Sequence, residues 1–210
     1  MGRRIFDNIK KAMTYIIAIH IPIAGLALIP VLLKWPLIFF PAHIAFLELV
    51  IDPVCSIAFE AEPEKKDIMK KKPKKLNEPL FDKKTLFIGI VQGVFVLLVV
   101  LIVFGFALGS NQTDVNARAL AFTILIISNL LIVYSMRSNS QTIIETLYTP
   151  NKALYLVSAI AIVLLLIVLY VPFFQELFHF SYLHPEDLIY CILAGIMTVI
   201  LFEELKFIIE

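Results

Sequence analysis

Residues 85–108 read TLFIGIVQGVFVLLVVLIVFGFAL, twenty-four positions without one charged side chain. A helix needs about 20 such residues to cross the hydrocarbon core of a bilayer. Backbone in hydrocarbon must satisfy its own N–H and C=O groups, which a helix does within one segment. This stretch therefore reads as a transmembrane helix. Five more apolar segments flank it, at 12–33, 37–58, 117–135, 153–172 and 186–207. Of the 210 residues, 60% are hydrophobic, whereas soluble domains hold about 45–50% apolar residues. The expected fold is all-α, a polytopic protein of the lipid bilayer with six transmembrane helices. Lys34-Trp35-Pro36 alone separates the first two, which makes them a hairpin.

The links between the segments alternate in charge. EAEPEKKDIMKKKPKKLNEPLFDKK, within 59–84, is rich in lysine; GSNQTDVN at 109–116 is polar and has none. Of the 18 Lys and Arg residues, 16 fall on one side of the six spans. Only Lys34 and Arg118 fall on the other. The positive-inside rule then places both termini and the 59–84 loop in the cytoplasm. Three units follow: 1–58, a basic stalk and the first hairpin; 59–84, the lysine-rich loop; and 85–210, a bundle of four helices. In the loop, Glu60, Glu62 and Glu64 followed by lysines offer both signs of charge to a cytoplasmic domain. No nucleic-acid partner is expected. Cys55 and Cys191 both lie in apolar segments and build no disulfide framework.

Among the 17 acidic residues, Glu48 and Asp52 lie deep inside a span, in FPAHIAFLELVIDPVCSIAF. A carboxylate in hydrocarbon is costly, and an intramembrane acid marks a functional site by default. The i, i+4 spacing puts the two on one helix face, roughly 6 Å apart. At that distance two anions repel by roughly 3 kcal/mol at an effective dielectric of about 20. A bound cation relieves this, and so does a proton on one of the pair. Pro53 has no N–H for the carbonyl of Leu49 and disfavours helical geometry at Asp52. A carbonyl oxygen beside two carboxylates suits a hard cation. The bland alternative is a structural pair neutralised by polar groups on other helices.

Other polar residues in the spans are weaker candidates. Pro22 frees the carbonyl of Ala18, and His20 lies just before it. Asn129, beside Ser128, interrupts an otherwise apolar fourth span and is a further candidate ligand. Gln92, Thr123, Ser158 and Thr198 read as helix-packing groups. One cysteine, Cys55, does not make a soft-metal site, and His179 and His184 read as surface residues.

In order along the chain, several stretches resemble the C-terminal membrane half of P-type cation-transporting ATPases of the calcium/sodium type. GRRIFDNIKKAMTYIIAIH (2–20) resembles the stalk and start of that family's fifth helix. FLELVIDPVCSIAFEAEP (46–63) is similar to its sixth, and KDIMKKKPKKLNEPLF (66–81) to the following loop. ARALAFTILIISNL (117–130) resembles the eighth helix and LFEELKFI (201–208) the tenth.

The resemblance implies that the six spans form half of a ten-helix membrane domain. The Asn and Asp that bind cations in the family's sixth helix fall on Glu48 and Asp52, with Ile51 in place of a Thr ligand. The fifth-helix Asn falls on His20, a Glu one turn later on Ile23, and the eighth-helix Glu on Asn129. One site therefore survives, for Ca²⁺ or another hard divalent cation, with protons as counter-ions. The sequence has no DKTG, TGE or GDG-x-N-D motif. ATP and Mg²⁺ are expected on a preceding half with actuator, phosphorylation and nucleotide domains, and this chain alone is not expected to hydrolyse ATP. It then reads as a fragment, a split gene or an excised domain. The rivals are a stand-alone carrier or channel built on the same carboxylates, and a non-transporting membrane subunit.

Overall fold

The computed structural model describes residues 2–62, 82–110, 112–137 and 151–209, with side chains omitted at 3, 52, 54–56, 84 and 205–209. Most of the lysine-rich loop and its KDIM stretch therefore lie outside the described residues. All regular structure among the described residues is helical.

Among the described residues, five helices are long and apolar enough to cross a membrane. The first, α1 (Gly2–Leu32), has 31 residues and spans about 46 Å at 1.5 Å per residue. That exceeds a hydrocarbon core of about 30 Å, so its basic first turns extend beyond it as a stalk. It runs through Pro22 and Pro30 and closes on Lys34, whose φ is 58°. The Trp35 N–H donates to Pro30 O (2.8 Å) and the Lys34 N–H to Val31 O (3.2 Å). These are the paired bonds of a left-handed helix stop, and Pro36 just beyond prevents the helix from resuming.

The second apolar segment is helical from Pro41 to Glu60 in three pieces. These are α2 (Pro41–Phe46), a π-helical turn (Leu47–Ile51) and α3 (Asp52–Glu60). Residues 37–40, expected in the span, precede the helix, which starts with Pro41 at its first position. Then follow α4 (Lys83–Gly109), α5 (Asp114–Met136), α6 (Lys152–Tyr170), the short α7 (Pro172–Phe178) and α8 (Pro185–Ile209). Asp82, Thr113 and Asn151 cap α4, α5 and α6 by accepting backbone N–H bonds, which satisfies donors a helix start leaves free.

The centre of the bundle is α5. Of its most apolar stretch 83% is buried, against 28% in α4 and in α8. It packs on α1, α4, α6, α8 and the π turn. The most extensive helix–helix contact is between α1 and α4, and Gly89 and Gly93 let the two backbones approach. A methyl group built on Gly93 would lie 2.6 Å from Ala18 O and 2.8 Å from Ile21 Cβ; one on Gly89 would lie 2.9 Å from Thr14 O. Small residues four apart let helix backbones touch in a membrane. The carbonyl that Pro22 leaves without a helical donor is thus covered by the backbone of α4. GIVQG at 89–93 carried that signal in the sequence.

Candidate cation site

The helix that bears both candidate carboxylates is fixed at its two ends. At the end away from the stalk, the guanidinium of Arg118 donates to Leu37 O and His179 O, both at 2.9 Å. It also sits 4.8 Å over the ring of Phe40. His43, fully buried, accepts the Phe40 N–H on Nδ1 at 2.9 Å, and it packs edge-on against Phe122 and Phe178. One of the two basic residues on that side thus has a structural task, which is to hold the entry into α2 against α5 and α7.

At the stalk end, the last carbonyls of α3 need donors. Asn151 Nδ2 donates to Ala58 O (3.0 Å), Arg4 Nη2 to Glu60 O (3.3 Å), and Arg4 Nε and Asn8 Nδ2 to Glu62 O (3.0 and 3.1 Å). The Glu62 carboxylate accepts from Arg137 Nε at 3.0 Å and Asn151 Nδ2 at 2.9 Å. Glu62 is 6% exposed and Arg137 2%, so this acid is turned inward and is not a free docking group of the loop. Glu60 is exposed; Glu64 lies outside the described residues. Nearby, Lys10 Nζ meets Asp82 Oδ2 at 2.8 Å. The Asp82 pKa falls to about 2: burial acts to raise it, and hydrogen bonds from Lys10 and Thr85 outweigh that.

Between these anchors lies the π turn. Proline at 53 clashes with an α-helical carbonyl four residues earlier, and a wider turn relieves the clash without ending the helix. Asp52 therefore opens α3 in helical geometry, and the irregularity falls one turn earlier than the sequence suggested. Glu48 is the second residue of that turn. Its side chain is exposed on the bundle surface, as is that of Leu49, 76% exposed. The Asp52 side chain lies outside the described ones.

His20 also faces outward, on α1, with Nδ1 2.8 Å from Ile16 O. A carbonyl only accepts, so Nδ1 is the donor in this contact and Nε2 is the ring nitrogen turned away from it. A backbone bond of this kind is what orients a metal-binding histidine. Asn129 is instead fully buried in α5, and its Oδ1 and Nδ2 have no hydrogen-bond partner among the described residues. The Ser128 hydroxyl is in the same condition.

No hydrogen bond or ion pair joins Glu48, Leu49, Asn129 and His20 among the described residues, and no three His, Cys, Asp or Glu side chains converge there. Of the packing groups, Ser158 accepts from Tyr134 of α5 at 3.3 Å, and Thr198 donates to Gly195 O of its own helix. Gln92 and Thr123 are buried, with no hydrogen-bond partner for their side chains among the described residues.

This is a polytopic α-helical membrane protein with an acidic, π-distorted segment held in its bundle. Residues 36–208 match the family described as "Cation transporting ATPase, C-terminus", and the chain belongs to that family. It is 34% identical over 170 residues to a calcium-transporting ATPase of Listeria monocytogenes, covering 81% of this chain and 18% of that relative. It is 30% identical to calcium-transporting ATPase 1 of Lactococcus lactis, with 85% and 20% covered. With the calcium-transporting ATPase of Bacillus subtilis the identity is 29%, with 89% and 21% covered. The chain spans about a fifth of the length of these curated relatives.

Proposed function

We propose that this chain is the cation-binding membrane part of an ATP-driven pump for Ca²⁺ or another hard divalent cation. The observation that carries the proposal is the setting of Glu48. It is an exposed carboxylate on a π turn inside an apolar segment. Lipid is no partner for it, and π turns inside α-helices are frequent at functional sites. Further membrane segments of a longer protein would cover this face, and a cation would neutralise Glu48 and Asp52 there. The names of the relatives favour Ca²⁺.

In this reading Glu48 and Asp52 supply the charge. The Leu49 carbonyl, His20 Nε2 and the orphaned amide of Asn129 supply neutral donors to the ion or its waters. Phosphorylation by ATP and Mg²⁺ on preceding cytoplasmic domains would change access, and protons would take the carboxylates when the cation leaves. The distribution of basic residues supports cytoplasmic termini. The test is cation-dependent phosphorylation of the full-length protein. Glu48→Gln and Asp52→Asn should each abolish it; wild-type cation dependence in both would make the pair structural.

A further inference from the structure

We propose that Glu62 is a positioning residue for the cation site, with Arg137 and Asn151 as its partners. Its carboxylate locks the stalk end of the site helix to α5 and α6. The proposal rests on the reading of Glu48 and Asp52 as cation ligands.

A single residue joins four elements here. The Glu62 carbonyl takes donors from Arg4 and Asn8 of α1, and its carboxylate takes Arg137, which ends α5, and Asn151, which begins α6. All but Arg4 are buried: Asn8 is 8% exposed, Glu62 6%, Asn151 3% and Arg137 2%. Removing such a pair from water is costly, so it is weak support for stability, and fixing one arrangement is a better-attested use. From Glu60, two residues before Glu62, back to Asp52 the chain is the nine-residue helix α3, a rigid rod of about 14 Å. Arg118 and the rings around His43 hold the opposite end. With both ends fixed, the π turn is the deformable piece, and the separation of Glu48 within it from Asp52 just after it depends on where the ends are held.

The experiment uses the full-length protein and measures phosphoenzyme formed from ATP against Ca²⁺ concentration. Glu62→Gln removes the carboxylate charge that Arg137 Nε meets. It should raise the half-saturating Ca²⁺ concentration about tenfold, within the range of couplings in buried networks, while the maximal phosphoenzyme per folded protein stays near wild type. The double variant Glu62→Gln with Arg137→Gln should shift no further than the larger single variant.

Asn151→Ser keeps the cap on Leu154 N–H but withdraws the donor from Glu62. It should move Ca²⁺ affinity in the same direction, and it carries the test if Glu62→Gln fails to accumulate. Unchanged half-saturation in every variant that folds would overturn the proposal, as would fully additive shifts. A Glu48→Gln control should lose Ca²⁺ dependence altogether; if it kept that dependence, the reading of the site would fail, and this proposal with it.

Discussion

Replacing Gly93 by alanine should separate α1 from α4. The new methyl carbon would stand 2.6 Å from Ala18 O and 2.8 Å from Ile21 Cβ. Ordinary contact lies near 3.5 Å, so the helices must part by about 0.9 Å, and a gap of that order forfeits roughly a quarter to a half of each facing dispersion contact. The obstacle is a backbone carbonyl and cannot rotate aside. Overpacking of this kind costs roughly 1–3 kcal/mol. Alanine recovers about 1 kcal/mol of helix propensity over glycine, which leaves a net loss of about 0–2 kcal/mol. Gly89→Ala, 2.9 Å from Thr14 O, should behave similarly. Two glycines serve as controls. At Gly25 the three atoms nearest the methyl all belong to the Leu97 side chain, which can rotate, and at Gly109 nothing lies within 4 Å. Thermal unfolding of the purified protein in one detergent should rank Gly93→Ala and Gly89→Ala below Gly25→Ala, with Gly109→Ala at or above wild type. Equal stability of Gly93→Ala and Gly109→Ala would refute the close-contact argument.

Asp82 should carry an acid-sensitive share of stability. Its folded pKa of about 2 lies below the ordinary 3.8, so the stabilisation is present above pH 3.8 and is lost as pH falls through 2; acid titration of unfolding in Asp82→Asn should lack that step. Cysteines introduced at 65–75 should resist an impermeant thiol reagent added outside intact cells, and those at 109–116 should react; the reverse pattern would invert the orientation. Asn129→Ala removes an amide that has no partner among the described residues. It should leave cation-free stability within about 1 kcal/mol of wild type, and should weaken Ca²⁺ binding less than Glu48→Gln, because a dipole is lost rather than a charge.

The spans were legible in the sequence because a membrane helix declares itself by length and apolarity. The 85–108 reading lies within two residues of α4 at either end. The turn at Lys34-Trp35-Pro36 was legible from its proline. Pro53 announced an irregularity, but not that the chain would absorb it as a π turn at Leu47–Ile51; that depends on both ends of the helix being held in place. The role of Glu62 was hidden. It stands in a run of charges, and its partners Arg137 and Asn151 are 75 and 89 positions away, a separation that no local pattern encodes. The same holds for Arg118, an exception in the charge count until its bonds to Leu37 and His179 carbonyls are seen. Glu48 and Asp52 stood out for the opposite reason, as acids where hydrocarbon tolerates few.

The central claim is that Glu48 and Asp52 hold the cation, and equilibrium binding of radiolabelled Ca²⁺ to the full-length protein without ATP tests it most directly. Binding should saturate in the wild type and weaken on acidification, because protons compete for the same carboxylates. Glu48→Gln and Asp52→Asn should each remove the saturable component, while Glu203→Gln, which changes an acid of α8 that accepts from Ser135, should keep it. Saturable Ca²⁺ binding of wild-type affinity in both carboxamide variants would contradict the account.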